Sequence, residues 1–330
     1  MFVDDEVGTP FFDILEQQAK VGVQVIVIVD SLGSFWLSRK RIKSLKSAGV
    51  DLRFFDERKK WYRGKWKQFW TRTHRKILVV DEEIGFIGGV NIGKAQRQWH
   101  DIHIRLTGNA VRSLLRAFAK NYLICGGDKA TVKHLFQFRF RVQEDLKNVE
   151  MVFDEGHSRV SHTRKKHSEA LLKARERVIL FSPYYFPDRK FLKALWTARK
   201  RGVRIDLLIP FRTDVRIATY ATYGLFELLK KRGVHVHLLK TMMHGKGVIM
   251  DDEWAMVGTS NLDKTSFYDN YEANIKIHDK KFVRKLKTTV LGWMKDSTAL
   301  ENMSWEKRGR WHRVKEWLAA KAYWIWYRKE

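Results

Sequence analysis

Cysteine is almost missing from this chain: Cys125 stands alone among 330 residues, which excludes an internal disulfide and fits a reducing compartment. Its own role reads as a small hydrophobe. No apolar run approaches the roughly 18 residues that a membrane-spanning helix requires, and no charged-then-apolar leader with a small-residue cleavage site opens the chain. The expectation is a globular protein that neither crosses a membrane nor carries a signal peptide. Acidic residues are scarce as well, 37 against 64 Lys and Arg, which leaves a net charge of +27. A surplus of that size implies an anionic partner, either nucleic acid or a membrane rich in acidic lipid. With 44% apolar residues the chain can still bury a large core in one or two domains.

What the chain does have is one motif twice. Thr73 to Asn91 reads THRKILVVDEEIGFIGGVN, and Met243 to Asn261, 170 residues later, reads MHGKGVIMDDEWAMVGTSN. His74, Lys76, Asp81, Gly88 and Asn91 recur at identical offsets as His244, Lys246, Asp251, Gly258 and Asn261. Chance matches to a sparse pattern rarely repeat their register. The apolar runs Ile77 to Val80 and Val248 to Met250 read as buried strands, so the His and Lys two residues apart share a face. An imidazole beside an ammonium, with an Asn after a glycine turn, offers donors to a tetrahedral anion without a metal. Two such strands together supply one histidine to attack phosphorus, one to protonate the leaving oxygen, and two lysines to hold the charge.

The repeat extends beyond the motifs. KVGV (Lys20 to Val23) leads into QVIVIVD, and LKSAGV (Leu45 to Val50) into DLRFFD; in the second half KRGV (Lys200 to Val203) leads into RIDLLIP, and LKKRGV (Leu229 to Val234) into HVHLLK. Strands alternating with glycine-stopped helices argue an α/β fold of two similar halves, each a mostly parallel sheet flanked by helices, facing each other across a site. The expected units are residues 1–125 as the first half, 126–166 as a charged, exposed linker, 167–295 as the second half, and 296–330 as a basic amphipathic helix. MFVDDEVG matches only the end of VILFSPYYF in the second half, so a strand and a helix read as missing from the first.

These motifs resemble the phospholipase D superfamily, and within it the bacterial cardiolipin synthases that lack membrane-spanning helices. DDEVG, HRKILVVD with GFIGGVN, YYFPD, and VGTSNLDKTSF running into NYEANIKI carry the likeness, which covers residue 1 to about 295. Thr265 stands where that family usually has Arg. The resemblance implies a phosphatidyltransferase without cofactor: one histidine attacks the phosphodiester of an anionic phospholipid such as phosphatidylglycerol, and a second lipid's hydroxyl resolves the phosphatidyl-histidine to give cardiolipin. By the family's usual order His74 is the nucleophile and His244 the general acid, with Lys76, Lys246, Asn91 and Asn261 on the phosphate and Asp81 and Asp251 completing the catalytic sets. Asp101 and Glu272, 27 and 28 residues after their histidines, open the alternating strands DIHIRL and EANIKI; each is a candidate to orient the histidine of its own or of the opposite half. A phospholipase D hydrolase and a nuclease use the same residues on other substrates, and a non-catalytic basic module is a third reading.

Eight of the 13 tryptophans lie in two basic stretches, residues 57–73 and 305–330. Tryptophan beside Lys and Arg is an interfacial signature, so Trp61, Trp66 and Trp70 in the first, and Trp311, Trp317 and Trp324 on the terminal helix, are candidate membrane contacts of a peripheral enzyme on the cytoplasmic membrane. Nucleic acid remains the other partner class; no protein partner is implied. His157, His162 and His167 lack Cys or acidic neighbours at metal spacing, so no metal site is expected.

Overall fold

The computed structural model describes residues 1–55, 71–136 and 148–326, with only the backbone described for 324–326. The first half runs α1 (Gly8–Lys20), β1 (Ile26–Asp30), α2 (Arg39–Ser47), β2 (Asp51–Phe55), β3 (Ile77–Val80), β4 (Ile84–Gly88), β5 (His103–Thr107) and α3 (Asn109–Ile124), followed by α4 (Lys129–Leu135) and β6 (Val149–Asp154). The second runs α5 (His162–Lys173), β7 (Arg177–Phe181), β8 (Tyr185–Phe186), α6 (Arg189–Lys200), β9 (Arg204–Pro210), α7 (Arg216–Tyr223), α8 (Phe226–Lys231), β10 (His235–Leu239), β11 (Gly247–Met250), β12 (Trp254–Gly258), β13 (Leu262–Asp263), β14 (Glu272–Ile277) and α9 (Lys280–Lys295). β15 (Ser297–Ala299) and α10 (Arg310–Trp326) close the chain.

The central sheet has eight strands in the order β15-β10-β9-β7-β11-β12-β14-β6. It is mixed. Helix crossovers make β7, β9 and β10 parallel, as the strand–helix alternation requires, whereas β11 and β12 return on themselves and pair antiparallel. Their hairpin turns through the three residues Asp251, Asp252 and Glu253, the first two at positive φ and the Glu253 amide donating to Met250 O at 2.9 Å. β9 is buried at every residue after its first, so it carries an uninterrupted apolar run rather than alternation.

One face of this sheet packs under α5, α6 and α8 through Leu171, Phe191, Leu195, Phe226 and Leu229. The other face receives the first half. Ile87, Ile104, Val111 and Leu114, from β4, β5 and α3, join Phe181, Ile249, Val257 and Ile275 in a second core that spans both halves. β7 joins β9 to β11 in the second half; among the described residues no strand holds that place in the first, so β1-β2 and β3-β4-β5 form separate sheets.

Two expectations about the chain's organisation need correction. Residues 126–166 are not simply an exposed linker: β6 pairs with β14 over six residues, Asp154 opposite Glu272, and Ser161 and Thr163 are fully buried. The apolar alternation of VEMVFD outweighs the charge around it, and Asp154 caps α5 by accepting from the His162 and Thr163 amides at 2.6 and 3.1 Å. Residues 296–330 are not one helix either. β15 adds an edge strand to β10, Trp305 is buried in the core, and the helix begins at Arg310.

Candidate active site

The two motif strands meet through a pair of backbone bridges that mirror each other. Thr73 bridges Tyr271, and Met243 bridges His100, each the residue before a histidine against the residue before an acid of the other half. The His74 amide donates to Tyr271 O at 3.0 Å, and the His244 amide to His100 O at 2.7 Å. Register then leaves each imidazole facing the opposite half's carboxylate. His74 Nδ1 lies 3.0 Å from both carboxylate oxygens of Glu272, and His244 Nδ1 lies 2.8 Å from Asp101 Oδ2. The sequence left open which acid served which histidine; the pairing is crossed, so neither half alone assembles a histidine with its acid.

Gly88 and Gly258 make the approach possible. A β-carbon on Gly258 would stand 2.4 Å from Ala273 O, and one on Gly88 2.1 Å from Ile102 O, so only glycine lets the acid-bearing strand come this close. The pairs differ in their surroundings. Thr259 Oγ1 donates to Glu272, which is fully buried, while the Asp101 carboxylate accepts from the Ile102 amide at 2.7 Å and His244 packs against Trp99 at 5.3 Å between ring centres. The His74 side chain is 24% exposed and that of His244 5%, so His74 is the more accessible ring.

Lys76 and Lys246 lie on the same face as their histidines. Each ammonium donates to the carbonyl of the histidine two residues before it, Lys76 at 2.9 Å. Burial lowers Lys246 to about 7, with Asp101 opposing and Lys76 adding to the fall. Lys76 falls for the same first reason, and the nearby carboxylates of Glu272 and Asp101 work against it. Burial, then Lys246, pushes His244 down to about 3; burial, then Lys76 and Lys246, holds His74 well below the ordinary histidine range. Both imidazoles are therefore neutral at pH 7. Burial also raises Glu272, which Lys76 pulls back toward ionisation.

Asn261 is buried, its backbone N–H donating to Ser266 Oγ at 3.1 Å, and its side-chain oxygen has no partner among the described residues. Asn91 Oδ1 accepts from the Met1 amino group at 3.2 Å. Thr265 opens a single π-helical turn, Thr265–Asp269.

Asp81 and Asp251 do not join the site. Each sits in the hairpin turn after its motif strand with φ of 51° and 46°, about 15 Å or more along the strand from its lysine at roughly 3.3 Å per residue. Asp251 instead accepts from the Arg175, Glu176 and Arg177 amides at 2.7, 3.0 and 2.7 Å, tying the turn to β7. The acid of the sequence triplet is a turn residue. His167 is buried with Nδ1 donating to Thr163 O at 2.9 Å, and burial lowers it to about 4.

Three residues at the site carry no sequence signal of their own. Arg72, whose Nε donates to Asp30 at 2.9 Å, adds a cation beside His74. Asp263 is buried near Lys246 and Glu272, and burial raises it to about 7. Arg75, with its side chain 3% exposed, donates to the carbonyls of Glu272, Ala117 and Asp154 and to Asn121 and Glu155, locking β14, α3 and β6 together behind the His74–Glu272 pair. Its motif counterpart is Gly245, so the duplication conceals it.

Residues 2–121 and 168–291 match the family profile described as cardiolipin synthase, PLD-like domain. That match takes in both motifs and both acids. The chain belongs to the phospholipase D-like cardiolipin synthase family. Among its relatives, cardiolipin synthase B of Escherichia coli strain K12 is 31% identical over 331 residues, 97% of this chain and 79% of that protein. Cardiolipin synthase 2 of Bacillus cereus is 32% identical over 322 residues, 95% of this chain, which spans 62% of that protein's length. Among solved structures, a phosphatidylserine synthase from Haemophilus influenzae Rd KW20 superposes with a TM-score of 0.71 at 16% identity, covering 98% of this chain and 86% of that one. This last likeness carries the fold: two phospholipase D-like repeats around a mixed sheet.

Of the candidate membrane contacts, Trp61, Trp66 and Trp70 lie outside the described residues, as does the side chain of Trp324. Trp311 and Trp317 are 79% and 58% exposed. α10 docks by its other face: Glu316, held by Arg308 and His312, is buried with Ala319, and Tyr323 meets Phe186. The helix therefore packs on the protein and still turns Trp311, Val314, Trp317 and Leu318 to solvent. Among the described residues no helix is long and apolar enough to cross a membrane.

Proposed function

We propose that this chain is a phosphatidyltransferase of the cardiolipin synthase type, acting on an anionic phospholipid at a membrane surface. The crossed pairing carries this reading: two neutral imidazoles, each with Nδ1 fixed by a carboxylate of the other half, present their Nε2 atoms to one cleft that also holds two lysines. Nε2 of His74 attacks phosphorus, its Nδ1–H held on Glu272, and the P–O bond to the leaving glycerol breaks as His244 gives that oxygen a proton. Burial, and after it the neighbouring ammonium groups, keep His244 neutral; the diester's negative charge offsets those ammonium groups, and His244 takes up a proton as the substrate binds. Lys76, Lys246 and Asn261 stabilise the phosphoryl oxygens. The hydroxyl of a second phospholipid, deprotonated by His244, then displaces His74 and restores the enzyme.

The relatives named as cardiolipin synthases support the transfer over hydrolysis. The test is to incubate the full chain with phosphatidylglycerol vesicles and with single-stranded DNA and to analyse both for products. Cardiolipin and glycerol are the expected products. Phosphatidic acid alone would make the chain a hydrolase, and cleaved DNA with untouched lipid would make it a nuclease.

A further inference from the structure

The turn that follows β1 holds two aromatic rings in water. Phe35 and Trp36 are 73% and 74% exposed, a T-shaped pair with centres 5.4 Å apart, and Leu32 beside them is 39% exposed. The backbone beneath them is pinned. Ser34, buried, donates its amide to Asp30 O at 2.9 Å and accepts the Phe2 amide on Oγ at 3.2 Å; the Leu37 amide donates to Ser34 O at 3.0 Å, and Leu37 is buried. Leu37 and Ser34 anchor the turn inward, so the same turn must point Phe35 and Trp36 outward. Paired exposed aromatics on a fixed turn mark a surface that meets an apolar partner.

Two further observations identify that partner. α2 begins three residues on with Arg39, Lys40 and Lys43, all exposed, and its N-cap Ser38 accepts the Arg41 amide at 3.1 Å, which fixes these cations beside the rings. The root of the turn is also the rim of the cleft: Asp30 accepts the Gly33 amide at 2.7 Å on one side and Arg72 on the other, two residues from His74. Aromatic rings flanked by Lys and Arg suit the boundary between anionic headgroups and acyl chains. In the second half Val215, at the end of the loop after β9, and Ile217, in the first turn of α7, are also 41% and 50% exposed.

We propose that Phe35 and Trp36 are a wedge that inserts into an anionic bilayer at the mouth of the His74 side of the cleft, with Arg39, Lys40 and Lys43 on the headgroups. The inference rests on the proposed lipid substrate for its purpose, and on the surface alone for its binding. It is tested with the full chain, by cosedimentation with phosphatidylglycerol vesicles, phosphatidylcholine vesicles and single-stranded DNA, and by turnover of a short-chain phosphatidylglycerol below its micelle concentration. Phe35→Ser with Trp36→Ser should weaken binding to phosphatidylglycerol vesicles at least tenfold, leaving DNA binding and turnover of the monomeric lipid within twofold. Unchanged vesicle binding, or an equal loss toward DNA, overturns the wedge. A second variant covers the case of misfolding: Trp36→Cys with Cys125→Ser, carrying an environment-sensitive fluorophore, should shift blue on phosphatidylglycerol vesicles and become shielded from an aqueous quencher; an unshifted emission overturns it. Intact vesicle binding without turnover of any phosphodiester would remove the proposed function and leave the wedge standing.

Discussion

Glu272→Gln separates the role of the carboxylate from its place in the fold. Glutamine has the same shape, the site is fully buried, and Thr259 can still donate to the amide oxygen, so packing and one hydrogen bond survive. What changes is the partner of His74 Nδ1, 3.0 Å away. A carboxylate can only accept, which fixes the proton on Nδ1 and leaves the Nε2 lone pair free for phosphorus; an amide can also donate, and then Nε2 carries the proton. Loss of the right tautomer and of the charge opposite the developing imidazolium should lower kcat about a hundred- to ten-thousand-fold, roughly 3 to 5 kcal/mol in the barrier. Stability should not follow, because burial already disfavours the ionised acid; Tm should hold or rise. The assay is steady-state turnover of phosphatidylglycerol beside thermal unfolding of the same preparations. A kcat within threefold of the parent, or a loss of activity that tracks a loss of folded protein, would refute the orienting role.

His74→Ala and His244→Ala should each remove nearly all turnover and the double variant should be scarcely worse, since members of one catalytic unit are not additive; substantial activity in either single variant would break the two-histidine scheme. The pH dependence follows from Lys246, lowered to about 7 by burial: its ammonium is lost as pH rises past that value, so kcat/KM for an anionic diester should fall on the alkaline side, measured from pH 6 to 9. The same lysine binds fewer protons folded than unfolded between about 7 and 10.5, so its contribution to stability rises with pH across that window, and Lys246→Met should flatten that rise in denaturant unfolding. Arg75→Ala removes the side chain that ties β14, α3 and β6 together and leaves buried acceptors short of a donor, at about 1 to 3 kcal/mol for each one stranded, so its urea midpoint should drop well below the parent's, and Arg75→Lys should not restore it because a point charge cannot span five acceptors. Replacing Trp311, Trp317 and Leu318 by Ser should weaken binding to phosphatidylglycerol vesicles at moderate salt and leave DNA binding and Tm nearly unchanged, because all three are exposed.

The duplicated motif was legible because catalysis and strand geometry wrote the same pattern: His and Lys two apart share a face, and glycine must follow where the acid's strand approaches. The acids themselves were legible as strand openers, but their crossed pairing was not, since it depends on bridges between Thr73 and Tyr271 and between Met243 and His100 that join residues far apart in the chain. Asp81 and Asp251 misled because a conformational need, the left-handed turn, uses the residue type that a catalytic reading expects. Residues 149–154 were hidden by the charged residues on either side, although VEMVFD alternates. Arg75 was invisible to a comparison of the halves, because its counterpart is glycine and its partners come from three elements.

The account's central claim is a phosphatidyl group carried on His74. Mixing the chain with phosphatidylglycerol, quenching in alkali, where phosphorus–nitrogen bonds survive, and mapping peptides by mass spectrometry tests it directly. The phosphatidyl mass should appear on His74 during turnover, be absent from His244, and vanish once the phosphatidylglycerol is exhausted. An adduct on His244 alone, or none on either histidine while cardiolipin accumulates, would contradict the mechanism.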